Sequence, residues 1–177
     1  MSKLLLHACC APCTTYVHRW LVENDFEVEG LFYNPNLRPE SEYQKRAATM
    51  QTYATEVGLK VYYESDDQPT EPEHCEQCYR RRLEKTAKMA GRNKYDYFST
   101  TLLISPYQKH ALLKKVGEEV AEEYGVPFYY RDFREGYYES RRLAQAMQLY
   151  RQKYCGCKPK EEKMKGEKHA QIGQFAQ

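Results

Sequence analysis

The chain has 177 residues, of which 41% are hydrophobic and 29% charged, and its formal net charge is +2. This length fits one domain, and the composition is typical of a soluble globular protein rather than of a disordered or membrane chain. The apolar run at Leu4–Leu6 is far shorter than the core of a signal peptide. We therefore expect a cytoplasmic protein without a membrane segment.

Positive charge is concentrated towards the C-terminus. Residues 131–177 contain 11 Lys and Arg against 6 Asp and Glu, whereas the preceding residues contain 16 against 19. A basic end permits contact with phosphates, although a solvated lysine-rich tail gives the same count. We predict one domain over residues 1–158 and a basic, flexible tail over residues 159–177.

Strand and helix patterns alternate along the chain. Short runs rich in β-branched, aromatic and leucine residues predict strands, and longer runs with apolar residues three and four positions apart predict helices. Gly58, Gly91 and Gly125 stand where helices are expected to end. The alternation predicts an α/β fold, with a mainly parallel sheet and helices on both of its faces. The predicted strands are 3–8, 27–34, 59–64, 95–100 and 127–133, and the predicted helices are 14–23, 39–56, 75–90, 107–124 and 137–150.

The loop after the first predicted strand reads "HACCAPC", residues 7–13. In parallel sheets, ligands bind at the carboxyl ends of the strands, and this loop lies there. It has no glycine-rich phosphate-binding sequence, so nucleotide binding of that kind is not expected. Cysteine chemistry is expected in its place.

The seven cysteines form three groups. An odd number of cysteines, in a compartment that we expect to be reducing, argues against a set of structural disulfides. Metal binding or redox chemistry is the better explanation. The groups are Cys9, Cys10 and Cys13; Cys75 and Cys78; and Cys155 and Cys157.

The first two groups together indicate a metal centre. Cys75 and Cys78 begin a predicted helix and share one of its faces, although such a pair also occurs in buried positions and in thioredoxin-like redox motifs. With Cys9 and Cys10, four thiolates at one sheet edge fit a tetrahedral zinc ion or a [4Fe–4S] cluster. Neighbouring cysteines reach separate iron atoms of a cluster more easily than one small ion, which favours the cluster. Cys13 is either a further metal ligand or a small apolar residue.

The third group, "YCGC", indicates redox chemistry. Cys155 and Cys157 can form a disulfide only through a small strained ring, for which Gly156 provides backbone freedom. A strained disulfide is easily reduced and suits a cycling redox pair. Two thiols beside a flexible tail are the alternative.

These motifs, taken together, resemble the cobalamin-independent epoxyqueuosine reductases of the QueH family. The resemblance runs from about residue 4 to residue 158. It implies removal of the epoxide oxygen from epoxyqueuosine in the tRNA anticodon, with an electron donor that the sequence does not identify. It is carried by "HACCAPC", "FYNPNLRP", "CEQCYRRRLEKTA", "FSTTLLISPYQKH", "DFREGYYES" and "YRQKYCGC".

The resemblance also implies cofactors and a fold. It implies that a [4Fe–4S] cluster is held by Cys9, Cys10, Cys75 and Cys78, and that Cys155 and Cys157 form a redox-active disulfide. Family members are able to hold a separate iron, and some have an acidic residue where this chain has Cys13. The family fold is similar to the Rossmann-like adenine-nucleotide α-hydrolase group.

Reduction of an epoxide to an alkene also needs protons and a bound substrate. His7, Tyr107, His110 and Asp132 are proton-donor candidates by chemistry, with Arg134 a substrate-binding candidate, although a buried satisfied histidine and an Asp–Arg ion pair are common alternatives. The segment 99–105 is a predicted pocket wall. Possible phosphate contacts and stacking surfaces for a base are Arg80, Arg81, Arg82, Arg131, Arg134, Arg141, Arg142, Tyr107, Tyr137 and Tyr138.

Two other functions fit parts of the sequence. A zinc-stabilised tRNA-binding module without catalysis explains the first two cysteine groups and the basic end, but leaves "YCGC" without a role. A thiol–disulfide oxidoreductase that uses Cys75 and Cys78 would need no metal.

Overall fold

The computed structural model describes residues 1–66 and 74–155. Within these ranges, four parallel strands form one sheet in the order β3-β2-β1-β4. The strands are β1 (Ser2–His7), β2 (Phe26–Tyr33), β3 (Val61–Glu64) and β4 (Tyr97–Thr100), and the α-helices are α1 (Ala11–Glu23), α2 (Glu40–Val57), α3 (Cys75–Arg92), α4 (His110–Tyr124) and α5 (Tyr137–Ala146).

Strand β1 lies in the interior of the sheet because its side chains are apolar on both faces of the sheet. Leu4, Leu5 and Leu6 are completely buried, which is typical of a strand covered by helices on both faces of a parallel sheet. β1 pairs with β2 along its whole length and with β4 from Leu4 to His7. The buried leucines therefore hold the two neighbours whose carboxyl ends form the candidate site.

The strand order requires helices on both faces. The chain moves from β1 to β2 to β3 in one direction and then crosses back to β4 on the far side of β1. Right-handed crossovers place α1 and α2 on one face and α3 on the other. Helix α5 packs against α1, and α4 packs against α3. The predicted α/β fold is confirmed, and the strand order reverses between β1 and β4, where ligands bind in such sheets.

The predicted strand at 127–133 is wrong. The segment makes a single parallel bridge, between Phe98 and Phe128, with the Tyr129 N–H donating to the Phe98 carbonyl over 2.8 Å. Two features stop a longer pairing. Pro127 has no N–H to donate, and β4 ends at Thr100, where the chain turns into a 3₁₀ helix over Thr101–Ile104.

Helix boundaries differ from the prediction by two or more residues in α1, α3, α4 and α5. Helix α4 begins at His110 rather than 107. Helix α1 begins at Ala11 rather than 14, so Cys13 belongs to its first turn. Gly91 lies inside α3, whereas Gly58 and Gly125 adopt the left-handed conformation after α2 and α4. Helix α5 ends at Ala146 rather than 150, and Gln148 has a positive φ of 54°. Residues 147–155 then run as an irregular segment, here called the strap.

The rest of the chain lies outside the described residues, including Cys157 and the predicted tail at 159–177. A helix long and apolar enough to cross a membrane is not found among those of the described ranges.

Gly117 allows Phe128 to pack against α4. A Cβ atom at Gly117 would lie 2.2 Å from Cε1 of the Phe128 ring. We expect Gly117→Ala to lower the free energy of unfolding by about 1–3 kcal/mol, the usual cost of overpacking. Thermal and urea unfolding would measure the change.

Gly91→Ala is the matched control. A Cβ atom at this helical position would lie 3.4 Å from Cγ2 of Val126, which is an ordinary van der Waals contact rather than a clash. It should be neutral, or more stable by up to ~1 kcal/mol through helix propensity. Equal loss of stability in both variants would contradict the packing explanation.

Candidate functional site

Three cysteines meet where β1 passes into α1. Cys10 is the N-cap of α1, and its Sγ accepts a hydrogen bond from the Cys13 backbone N–H over 3.4 Å. The sulfurs of Cys9, Cys10 and Cys13, here called the cysteine triad, all lie within 4.8 Å of one another. A helix N-terminus favours the thiolate form of cysteine, and thiolates are preferred ligands of soft metal ions. The triad is therefore a chemically suitable metal site.

Thr101 holds Cys9 from the end of β4. Its hydroxyl accepts a hydrogen bond from the Cys9 N–H over 3.0 Å and donates one to the Cys9 Sγ over 3.1 Å. Hydrogen bonds from the thiols of Cys10 and Cys13, and then from Thr101, hold the pKa of Cys9 well below its usual range. The pKa of Cys13 is raised by the same hydrogen bonds with Cys10 and Cys9. Among these thiols, Cys9 is therefore the one that most readily loses its proton.

His7 is a buried residue with both ring nitrogens bonded. Its Nε2 donates to the Tyr33 carbonyl over 2.9 Å, and its Nδ1 accepts from the Thr100 hydroxyl over 2.9 Å. Burial, followed by the charge of Arg82, lowers its pKa to about 4. A neutral imidazole with these two bonds joins the ends of β1, β2 and β4.

The second cysteine group lies at the start of α3. Arg82 Nε donates to the Cys78 Sγ over 3.3 Å, and the Asn36 side-chain amide donates to the same sulfur over 3.7 Å. Arg82 Nη2 also donates to the side-chain Oδ1 of Asn36 over 2.6 Å. Two donors on one sulfur stabilise its thiolate. Arg82 is 5% exposed, so its predicted role as a phosphate contact is wrong.

The two cysteine groups border the same strand ends. The Tyr33 carbonyl accepts from His7 and also from Arg82 Nη1, which is 3.4 Å away. The Asn34 amide donates to the carbonyl of Ala8, the residue before Cys9. Cys75 and Cys78 nevertheless do not belong to the 4.8 Å group formed by the triad.

The strap runs past the triad at this end of the molecule. Arg151 and Gln152 of the strap line one small cavity together with Cys10 and Cys13. Cys155 follows on the same strap, and Cys157 lies outside the described residues.

A small cavity of about 30 Å³ opens beside the triad. Tyr137 in its wall makes edge-to-face contacts with Tyr107 and Tyr138, with ring centroids 6.0 and 5.5 Å apart, and Tyr138 is 72% exposed. The guanidinium of Arg141 lies 5.7 Å from the Tyr137 ring centre. Aromatic rings and a cation thus extend from the triad to the surface. The cavity is lined by Cys10, Pro12, Cys13, Tyr137, Ser140, Arg141, Arg151 and Gln152.

Asp132 and Arg134 form an exposed ion pair. Arg134 Nε donates to Asp132 Oδ1 over 2.8 Å, and the Arg134 backbone N–H donates to the same oxygen. These bonds lower the pKa of Asp132 to about 2, so at neutral pH it carries no proton to donate. His110 Nε2 is bonded to the Ser105 carbonyl over 3.2 Å, and burial lowers the pKa of His110.

Several predicted phosphate contacts are engaged within the protein. Arg80 pairs with Glu119, and Arg142 pairs with Glu139. Arg131 pairs with Glu135 and stacks 4.2 Å from the Trp20 ring centre. Arg141 differs from these three because it lines the cavity beside the triad.

Four residues that shape the site were not predicted individually, although Thr101 lies in the segment 99–105 that was predicted to be a pocket wall. Thr101 and Asn36 are neutral, and their motifs gave no sign of which sulfur they contact. Glu42 and Arg46 are buried, but their spacing of four residues on α2 is also typical of an exposed surface pair.

The fold and the grouped cysteines define an α/β protein with a candidate metal and redox site. A family model described as epoxyqueuosine reductase QueH matches residues 4–163. The Dehalococcoides mccartyi protein of that name is 40% identical, over 88% of this chain and 90% of that protein. The Thermotoga maritima protein of the same name is 36% identical, over 89% of each. The chain belongs to the epoxyqueuosine reductase QueH family, so the predicted family is confirmed.

A solved structure supports the fold. The crystal structure of a predicted subunit of a tRNA methyltransferase from Methanocaldococcus jannaschii superposes with a TM-score of 0.50, over 82% of this chain and 75% of that one. Its sequence identity is 10%, so the likeness concerns the α/β fold alone.

Thr101→Val tests the control of Cys9 by its neighbour. Loss of the hydroxyl donor should raise the pKa of Cys9, because the donor stabilises the thiolate. In metal-free protein, the pH of half-maximal alkylation of Cys9 should rise by roughly one unit, the value of a hydrogen bond to a charged group. Peptide mass spectrometry after iodoacetamide treatment measures it.

Thr101→Ser keeps the hydroxyl and should retain the original alkylation profile. An unchanged profile in Thr101→Val would show that Thr101 does not control the thiolate.

Proposed function

We propose that this chain reduces the epoxide of epoxyqueuosine in tRNA to the alkene of queuosine. Family membership gives the reaction. The observation that supports it in this chain is that the triad, the Cys75–Cys78 group and the strap border one sheet edge. That edge is the switch point between β1 and β4, where α/β sheets bind ligands.

The proposed reaction balances with a dithiol as the reductant. The epoxide takes up two electrons and two protons, both carbon–oxygen bonds break, and the oxygen leaves as water. The thiols of Cys155 and Cys157 supply two electrons and two protons as they form a disulfide. An external electron donor then restores the dithiol. A strained disulfide between residues two positions apart suits such cycling.

The described residues suit the cofactors proposed for them. Cys9, Cys10, Cys75 and Cys78 would hold a [4Fe–4S] cluster, and Cys13 would contribute to a separate iron site. The donor set supports this, because the thiolates are soft ligands and Cys78 receives two N–H donors. When bound, the cluster supplies one-electron transfer and the separate iron supplies Lewis acidity.

The chain's own residues would bind and orient the substrate. Asp132 is ionised and paired with Arg134, so we assign it an electrostatic role rather than proton donation. An unstacked anticodon base would stack on the exposed Tyr138, next to Tyr137. Arg141, beside the cavity, would contact the anticodon phosphates.

One distance favours zinc as a second candidate. The Sγ atoms of Cys9 and Cys10 are 3.8 Å apart. Sulfurs arranged tetrahedrally around Zn²⁺ with bonds of ~2.3 Å have about this separation. Neighbouring cysteines are therefore able to share one small ion here, which supports the alternative of a zinc-stabilised tRNA-binding module.

Metal content separates the two candidates. Protein purified without oxygen should contain about four irons and four sulfides, as a [4Fe–4S] cluster requires, with brown charge-transfer absorption. Iron beyond four that is lost in Cys13→Ala would assign Cys13 to a separate site. Stoichiometric zinc in colourless protein that persists after anaerobic reconstitution would instead support the binding module.

Cys155→Ser separates the redox pair from the metal ligands. This variant should keep the absorption of the cluster and lose epoxide reduction, because one sulfur cannot form the internal disulfide. Cys78→Ala should lose iron as well as activity. Epoxide reduction by Cys155→Ser at the wild-type rate would refute the proposed role of the dithiol.

Tyr138→Ala tests the stacking surface. It should raise KM for the tRNA substrate roughly tenfold or more, in line with about 1–3 kcal/mol per stacked base. The control is Tyr63→Ala, an exposed tyrosine on β3 that is 43% accessible. Equal KM values for the two variants would exclude Tyr138 as a substrate contact.

A further inference from the structure

A buried ion pair lies in the first half of α2. Arg46 Nε donates to Glu42 Oε1 over 2.9 Å, and the two side chains are 3% and 8% exposed. Burying two charges carries a large desolvation cost, and apolar residues of similar size often serve stability equally well. The pair therefore calls for a reason beyond stability.

The partners of the pair are on the strap. Arg46 Nη2 donates to the Tyr154 carbonyl over 3.0 Å, and Nη1 donates to the Cys155 carbonyl over 3.4 Å. The guanidinium also lies 5.1 Å from the Tyr154 ring centre. On the other side, the Tyr150 hydroxyl donates to both carboxylate oxygens of Glu42, over 2.8 and 3.0 Å.

The strap needs such donors because it is irregular. A helix or strand satisfies its own backbone carbonyls, whereas an irregular buried segment depends on side chains. Arginine suits this role, since its planar guanidinium offers several donors in a fixed arrangement. Three of these donors serve Glu42, Tyr154 and Cys155 together. The ion pair therefore fixes both the distance of the strap from α2 and the orientation of the strap.

The same strap forms part of the cavity beside the triad. Arg151 and Gln152 line that cavity together with Cys10 and Cys13. They lie between Tyr150 and Tyr154, the two strap residues that the ion pair holds. Displacement of the strap would therefore change the cavity wall and the position of Cys155 at once.

We propose that Arg46, oriented by Glu42, is a positioning residue that fixes the strap, and with it both Cys155 and the cavity wall formed by Arg151 and Gln152. This inference rests on the proposed function, because it gives Cys155 a redox role. Arg46 acts through the backbone of the strap and has no contact with the substrate in this role.

The main test is the double variant Glu42→Gln/Arg46→Met, which removes both charges and leaves neither buried alone. It should fold and keep the visible spectrum of any bound metal centre. We expect kcat for epoxide reduction to fall roughly 10²-fold, the effect of a displacement of about 1 Å at a reacting group. Alkylation of Cys155 in reduced, metal-free protein should become several-fold faster, because the strap is no longer held.

Two further variants identify the cause. Arg46→Lys keeps the charge but lacks the planar set of donors, so it should also accelerate alkylation of Cys155. Lys85→Met is the matched control, since it removes an ion pair between α3 and β3, to Glu64, without touching the strap. The control should retain wild-type kcat and the wild-type alkylation rate.

The proposal is overturned if the double variant matches Lys85→Met in kcat and in the alkylation rate of Cys155. Failure of the double variant to fold, together with normal alkylation in folded Arg46→Lys, would also overturn it and leave the pair a structural role alone. Cys155→Ser distinguishes failure of the proposed function from failure of the role proposed for Arg46. If that variant reduces the epoxide normally, the proposed function fails, whereas faster alkylation in Arg46→Lys would still show that Arg46 holds the strap.

Discussion

The carbonyl oxygen of Tyr33 is the point on which the site depends. It stands at the end of β2 and accepts hydrogen bonds from His7 on β1 and from Arg82 on α3. His7 is in turn bonded to Thr100 at the end of β4, and Arg82 to the sulfur of Cys78. One backbone group therefore joins three strand ends to the helix that carries the second cysteine group. Helices α1 and α3 lie on opposite faces of the sheet, and this network brings their N-termini to a common edge.

The buried ionisable groups of this network have polar partners, which explains why their burial is tolerated. Arg82 is surrounded by amide and carbonyl oxygens from the segment after β2 and by a cysteine sulfur. Arg46 has the carboxylate of Glu42 and two strap carbonyls. His7 stays neutral because burial and the nearby charge of Arg82 both lower its pKa. The positive charge of Arg82 thus lies beside the sulfur of Cys78, where it stabilises a thiolate.

Sequence patterns predicted the parts of the fold that local composition decides. The leucine run of β1 predicted a buried strand, and the glycines after α2 and α4 end those helices as predicted. The segment 127–133 has an equally strand-like composition, but β4 is too short to pair with it. Whether this segment forms a strand depends on a pairing strand elsewhere in the chain, and the composition of the segment carries no information about that strand. The cysteine groups were recognisable from spacing, whereas the hydroxyl of Thr101 acquires its role only when β4 is laid beside β1.

The arginines show most clearly that local sequence does not reveal which residues a side chain contacts. Arg80, Arg81 and Arg82 are consecutive, yet Arg82 is buried against Cys78 while Arg80 pairs with Glu119 on α4. A helix turns by about 100° per residue, so neighbours in sequence face different surroundings. Arg46 and Glu42 were overlooked because their spacing of four positions gives the same sequence pattern on two kinds of helix face. One is exposed to solvent, and the other is covered by a distant segment of the chain. What covers that face is the strap, more than 100 positions later in the chain.

The site thus divides its cysteines between two kinds of support. Cys9, Cys10, Cys13, Cys75 and Cys78 lie directly after a strand or in the first turn of a helix, so regular structure adjoins each of them. Cys155 stands on a segment without regular structure, whose position comes from side-chain donors on α2. In the proposed reaction, the metal ligands would keep their places, whereas the redox pair would change its bonding in each cycle. Irregular backbone permits such a change, and a directional anchor such as Arg46 would limit how far the segment moves while it occurs.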